Sequence, residues 1–197
     1  MEIIKLSKVA IEKAVEVISS GGVIICPSDT VYGLVCDAGN KTAVEKIFKI
    51  KKRPKTKPLG VFVRDIKMAK ELVAINESQE KFLNKNLPGK FTVILKKHPS
   101  YRFPESVGDK NTIGIRIIKN KFINELLEKF DKPLAQTSAN ISGQPATTKI
   151  GEALAQFQLL QVSETCKANL IIDAGNLPKS RPSAIIDLTH NKVKVLR

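Results

Sequence analysis

Apolar residues recur along the chain with two different periods, and the alternation between them predicts a layered α/β fold. Ile11, Ala14, Val15 and Ile18 share one helical face over 8–20, with Ser7 placed to cap the first turn. Gly21-Gly22 ends that helix, and VIIC (23–26) reads as a buried strand. A second helix is predicted near 41–51, where Val44, Ile47 and Phe48 fall on one side. LGVFV (59–63) predicts a strand, and helices follow near 65–74 and 77–86, stopped by Leu87-Pro88-Gly89. FTVIL (91–95) and TIGIRII (112–118) predict strands separated by a loop rich in Pro, Gly and Asp. Ile123, Leu126, Leu127 and Phe130 predict a helix over 121–130, and further strands are expected at 133–137, 170–173, 184–188 and 192–196.

Strands interleaved with helices imply a sheet with helices on its faces. The last two strands have no helix between them, so the sheet is expected to be mixed rather than wholly parallel. There is no internal repeat and no low-complexity linker, and 197 residues suit a single domain over 1–197 with a real core. Ligands of such sheets bind on loops beyond the strand ends, which is where the polar motifs of this chain fall.

Composition narrows the functions on offer. Thirty-three basic residues against 19 acidic ones give a net charge of +14, which favours polyanions without choosing among nucleotides, nucleic acid and a membrane surface. A lysine-decorated solvent surface would account for much of the same charge. No apolar run approaches the ~18–20 residues needed to cross a bilayer, and the first residues lack a signal-peptide pattern; the expectation is a cytoplasmic protein with no membrane partner. Cys26, Cys36 and Cys166 are odd in number and none is at CxxC spacing, so reduced cysteines in or near the core are expected. His98 and His190, both in turn-like stretches, are too few for a histidine metal centre, and no protein-held metal site is expected.

Four segments carry candidate chemistry. Pro27 to Leu34, PSDTVYGL, leaves a buried strand with two hydroxyls and a carboxylate, a pattern shared with ordinary capped turns. From Lys49 to Lys57 six of nine residues are basic, with Pro54 and Pro58 stiffening the stretch. Concentrating charge there costs self-repulsion that a phosphate would relieve, yet GxxxxGK[ST] is absent and a solvated face has the same look. Gln136 to Pro145, QTSANISGQP, is dense in small donors and acceptors able to wrap a phosphate or ribose, though any loop has such a composition. Arg116 stands alone among Ile113, Ile115, Ile117 and Ile118, either on a solvent face or as a clamp for a carboxylate or phosphate.

PSDTVYGL, KxR (51–53) with a downstream PL, PGKFT (88–92), GIR (114–116) and TSANISGQP (137–145), in this order, resemble the YrdC-like family of threonylcarbamoyl-AMP synthases, from about residue 8 to the C-terminus. The resemblance implies the YrdC-like fold, a twisted mixed sheet flanked by helices with a concave basic cleft. It implies a nucleotidyltransferase that joins L-threonine, bicarbonate and ATP into threonylcarbamoyl-AMP and pyrophosphate, for tRNA processing by downstream tRNA threonylcarbamoyl-transferase proteins. Phosphoryl-type transfer needs positioning and charge neutralisation more than a base, and no base is named. Carried over by motif, Lys51 and Arg53 are the expected catalytic residues. Lys51, Arg53, Lys57, Thr112, Ser138, Asn140 and Arg197 are expected to bind ATP, and Thr30, Phe62 and Arg116 to bind threonine. Mg²⁺ is expected with ATP, held mostly through phosphates. Lys90, Ile118, Ala146 and Ala184 depart from the family pattern; Ala146 removes a hydroxyl expected near ATP. The motif set matches the short bacterial form, without a further C-terminal domain.

Two other functions remain open on the sequence. An RNA-binding or ribosome-associated module would use the charge for contacts to phosphates, with weak, sequence-blind RNA binding as its minimum. A family paralogue acting on another small acid would keep the cleft and change its contents.

Overall fold

Each of five helices begins on a short polar side chain that accepts a hydrogen bond from the first turn. The caps are Ser7 for α1 (Lys8–Ser19), Asn40 for α2 (Lys41–Lys51), Asp65 for α3 (Ile66–Leu72), Asn76 for α4 (Glu77–Asn86) and Asn120 for α5 (Lys121–Phe130). A sixth helix, α6, spans Ile150–Gln158. These elements belong to a computed structural model that describes residues 2–158, 167–190 and 193–196.

The strands are β1 (Glu2–Lys5), β2 (Ile24–Cys26), β3 (Gly33–Asp37), β4 (Gly60–Phe62), β5 (Phe91–Lys96), β6 (Thr112–Arg116), β7 (Leu134–Ser138), β8 (Leu170–Asp173), β9 (Ala184–Asp187) and β10 (Lys194–Val195). They form one sheet in the order β1-β8-β2-β3-β7-β4-β6-β5-β9-β10. Four pairings are parallel and five antiparallel, so the sheet is mixed, as the missing helix before the last strand predicts.

Alternation along the strands divides the apolar residues between two faces. Ile25, Leu34, Val61, Val93, Ile115 and Ala135 belong to one buried cluster with the apolar sides of α2, α3 and α4. Ile24, Val35, Phe62, Leu134 and Ile172 belong to a second, covered by α1 and α5. On the second face the same alternation turns Gly33, Gly60, Thr92, Gly114, Arg116, Gln136 and Ser138 toward the part of the sheet beyond the reach of α1 and α5. That bare part of the sheet is the cleft described below.

Three elements escape the reading by pattern. The residues of β3 directly follow a polar motif that reads as a loop, so Leu34, Val35 and Cys36 look like its tail. The short β1 is largely exposed and offers no alternation to detect. In α6 the apolar positions Ala153, Leu154 and Phe157 follow a stretch whose composition says loop. The strand expected at 192–196 is confined to Lys194–Val195, and residues 191–192 lie outside the described residues.

Among the described residues no helix is long and apolar enough to cross a membrane. Cys26 and Cys36 are free and buried, as expected, and Cys166 lies outside the described residues. Burial pushes both thiols well above their ordinary range. Because the thiolate is the reactive form, iodoacetamide at pH 8 should leave both unmodified until guanidinium unfolds the chain. Peptide mass spectrometry checks this, and labelling of either cysteine in the folded protein would contradict the packing of β2 and β3.

Candidate active-site cleft

The bare face encloses a cleft of about 520 Å³. Its floor is backbone as much as side chain, because Gly60 and Gly114 lie side by side on β4 and β6. A Cβ on Gly60 would stand 2.9 Å from the Gly114 carbonyl oxygen, and one on Gly114 would stand 2.8 Å from Thr92 Cγ2. Only glycine fits either place, and the result is a flat floor against which a ligand can lie.

At one end, Arg116 closes β6. It is buried, with 4% of its surface exposed, which excludes a place on a solvent face. Its Nη2 donates to Asp29 Oδ1 at 2.6 Å, and its guanidinium lies 5.2 Å from the centre of the Phe62 ring. Asp29 Oδ2 is buried and has no hydrogen-bond partner among the described residues. The β2–β3 loop carries Asp29 to this position, and Ser28 shapes that loop by donating to the Val31 carbonyl at 2.6 Å and accepting from Thr30 N. Thr30, Phe62 and Arg116, the residues expected to bind threonine, therefore line one end of one cleft.

The basic segment meets the 138–142 loop at the other end. The structure places Lys51 differently from the expectation that it faces phosphates. As the last residue of α2 it is 1% exposed, and it is absent from the cleft lining. Its Nζ donates to the carbonyls of Ser138 (2.5 Å) and Asn140 (2.6 Å) and to Asn140 Oδ1 (3.1 Å), while its own carbonyl accepts from Ser142 N at 2.8 Å. Burial, with the neighbouring Arg53 charge, pushes its pKa down to about 7. The three oxygens act in the other direction, since three acceptors satisfy an ammonium and only an ammonium. The helix ends here because Lys52 turns left-handed, and that turn carries Arg53 back to the cleft.

Arg53 does line the cleft. Its Nε donates to the Lys57 carbonyl and its Nη2 to the Pro58 carbonyl, at 2.6 and 3.0 Å, which leaves Nη1 for a ligand. Lys57 is exposed and does not line the cleft; what it contributes is that carbonyl. Ser138 and Asn140 line it, but they are bonded to each other: Ser138 Oγ donates to Asn140 Oδ1 at 2.5 Å, and Asn140 Nδ2 donates to the carbonyls of Ile141 and Gln144. Thr112 lines the cleft, Ala146 lines it without a hydroxyl, and Arg197 lies outside the described residues.

Four contributors have no role assigned from the sequence, although Asp29, Tyr32 and Thr92 lie inside its motifs. Asp29 partners Arg116 across 87 positions of sequence. Tyr32 is fully buried, donates to the Gly175 carbonyl at 2.7 Å and accepts from Ala174 N at 3.0 Å, tying the first motif to the segment after β8. Thr92 and Ser183 face each other at 3.2 Å across the cleft wall. The signal for the last pair is weak, a lone hydroxyl in a strand and a serine in a Pro-rich loop.

Comparison with known proteins identifies the family and the fold. The Sua5/YciO/YrdC family model, described as "Telomere recombination", matches residues 16–197. A Methanocaldococcus jannaschii protein named "Putative threonylcarbamoyl-AMP synthase" is 38% identical over 180 residues, covering 91% of this chain and 81% of that one. The crystal structure of P. abyssi Sua5 complexed with L-threonine superposes with a TM-score of 0.86 at 29% identity. This chain is covered entirely and spans 56% of that longer one. Escherichia coli YciO superposes at 0.83 with 27% identity, over all of this chain and 92% of that one. The family model spans more than half of the chain, and the cleft carries the ordered motifs at its two ends: the chain belongs to the Sua5/YciO/YrdC family.

Proposed function

We propose that the protein is an L-threonylcarbamoyladenylate synthase, acting as one domain over 1–197. The observation that carries this reading is the joining of two unlike ends in one cleft. One end offers a buried Arg116 fixed on Asp29 beside Thr30 and Phe62, suited to an amino-acid carboxylate. The other offers Arg53 and Thr112 over a glycine floor, suited to a nucleotide and its phosphates. The similarity to the named M. jannaschii relative and to Sua5 with L-threonine supports the same assignment.

In the proposed reaction, the threonine carboxylate sits on Arg116, and its amine adds carbon dioxide, supplied as bicarbonate, to form the N-carboxy group. One oxygen of that group attacks the α-phosphorus of ATP. The new P–O bond forms as the bond to the bridging oxygen breaks, and pyrophosphate leaves with the electron pair. Arg53 Nη1 neutralises charge on the transferring phosphate. Lys51 acts from behind, holding the 138–142 loop in shape. Thr112, Ser138 and Asn140 complete the nucleotide end, with Lys57 supporting Arg53 through its carbonyl; the motif resemblance alone assigns Arg197 to ATP. Mg²⁺ accompanies ATP: among the described residues no group of three or more His, Cys, Asp or Glu could cage an ion, while Asp109 opens on the cleft beside the nucleotide end. The ion would lower the charge on the phosphates. The product's threonylcarbamoyl group is then passed to tRNA by partner transferase proteins, which implies a cytoplasmic reaction.

Pyrophosphate release is expected only when ATP, Mg²⁺, threonine and bicarbonate are all present. Release that ignores threonine but needs another small acid would favour a paralogue. Tight, specific RNA binding with no ATP affinity in calorimetry would favour an RNA-binding module, whose affinity must fall steeply with salt.

A further inference from the structure

Beside the cleft, at the end of β6 away from Arg116, lies a second hollow of about 550 Å³ that the proposed reaction does not use. Lys96, Lys97 and Lys110 line it with Asn111 and His190, and Thr112 is common to hollow and cleft. Register explains the convergence. Lys96 is opposite Thr112 where β5 and β6 pair, and Lys97 N donates to the Asn111 carbonyl one step further on. The β5–β6 pairing and the residues just beyond it thus deliver several cations to one strand end.

The hollow is held in shape from below. Lys97 Nζ rests 4.2 Å from the centre of the Tyr101 ring, and Tyr101 is itself fixed by a hydrogen bond from its hydroxyl to the Val107 carbonyl. Gly108 makes room for the stem of Lys97: at φ +81° it has a left-handed backbone, and a Cβ there would meet Lys97 Cε at 2.9 Å. Asp109 and Glu105 lie near enough to act on the charge of Lys97, though neither forms a contact ion pair with it. Asp187 accepts from Thr189 N and Oγ1, and Asp109 Oδ1 accepts from Lys110 N. Among the described residues none of Lys96, Lys97 and Lys110 forms an ion pair with a carboxylate.

We propose that this hollow is a second anion site, built for a diphosphate group and entered from the nucleotide end of the cleft past Thr112. Lys97 feels the charges of Asp109 and Glu105 without a contact ion pair, and three lysines at one strand end still leave an excess of positive charge that a compact, multiply charged phosphate relieves more fully than a singly charged acid. The site has no arginine fork for a planar carboxylate. Its polar side chains are ammonium, amide, hydroxyl and imidazole groups, which suit phosphate oxygens. The diphosphate comes either from the cleft, as departing pyrophosphate, or from free polyphosphate in solution. The first source rests on the synthase reading; the second does not.

The test is calorimetric titration of the full chain with inorganic pyrophosphate, without ATP or threonine, so that it stays informative even if no synthase activity exists. Lys96 and Lys110 are exposed, so Lys96→Ala/Lys110→Ala should fold as the parent does, which thermal unfolding verifies. The parent is expected to bind two equivalents and the double variant one, with affinity at the lost site down at least about tenfold. Arg53→Ala should lose the other equivalent and keep this one. In single-turnover release of pyrophosphate, slower product dissociation in the double variant with an unchanged chemical step identifies departing pyrophosphate as the source; an unchanged release rate identifies free polyphosphate. Pyrophosphate binding that is identical in parent and double variant overturns the proposal. So does a double variant that loses affinity for RNA and none for pyrophosphate, since the hollow would then serve a nucleic-acid backbone.

Discussion

Replacing Lys51 by alanine should lower kcat/KM for pyrophosphate formation by roughly 10²-fold or more and also destabilise the protein by about 3–5 kcal/mol. The two losses have one cause. Nζ satisfies three oxygens of the 138–142 loop; without it the Asn140 carbonyl loses its donor, at about 1–3 kcal/mol, while Ser138 O and Asn140 Oδ1 keep Asn140 N and Ser138 Oγ and each lose a net bond of about 1 kcal/mol. The expected fall in Tm is roughly 10 °C for a chain of this length. Lys51→Met keeps the apolar stem and should fail in the same way. Lys51→Arg should fail as well, because a planar fork cannot reproduce an ammonium that points three ways. Arg53→Ala should lose activity on a similar scale with a much smaller change in Tm, since part of its guanidinium faces the cleft. Thermal unfolding of the ligand-free variants separates the roles. A Lys51→Ala protein with parental Tm and impaired ATP binding would mean that the ammonium leaves the loop for the phosphates.

Arg116→Lys should raise KM for threonine by about tenfold or more, the equivalent of one net hydrogen bond, while Kd for ATP stays within about threefold. Lysine keeps the charge but loses the fork that can hold Asp29 and a substrate carboxylate together. The partner makes the prediction sharper. Asp29→Asn keeps the size of the side chain and leaves a buried guanidinium without its counter-charge, so it should cost about 3–5 kcal/mol of stability. With that charge gone the guanidinium should also shift from its place beside Phe62, and KM for threonine should rise with it. A normal threonine KM together with weakened ATP binding in Arg116→Lys would assign this end of the cleft to phosphates.

The residues differ in how far the sequence alone reveals them, and the physical reason differs each time. Capped helices such as 77–86 and 121–130 are legible because their apolar spacing and caps are local. Arg116 is conspicuous because a charge inside an isoleucine run conflicts with its neighbours. Its partner is invisible, because Asp29 is brought to it only by the sheet order β3-β7-β4-β6. Lys51 shows the opposite limit. The motif marks the residue correctly as special, but a sequence cannot say on which side of a loop an ammonium ends, and here it lies behind the loop. β3 was hidden by its own chemistry, since the polar residues that serve the cleft precede a strand buried over its first four residues.

The most direct test of the account follows carbon through the reaction. Purified protein is incubated with ATP, Mg²⁺, L-threonine and ¹³C-bicarbonate, and the nucleotide products are analysed by mass spectrometry. The account predicts an adenylate carrying both threonine and one ¹³C atom, formed in step with pyrophosphate. An adenylate without the labelled carbon, or ATP turnover that proceeds equally well without threonine, would contradict it.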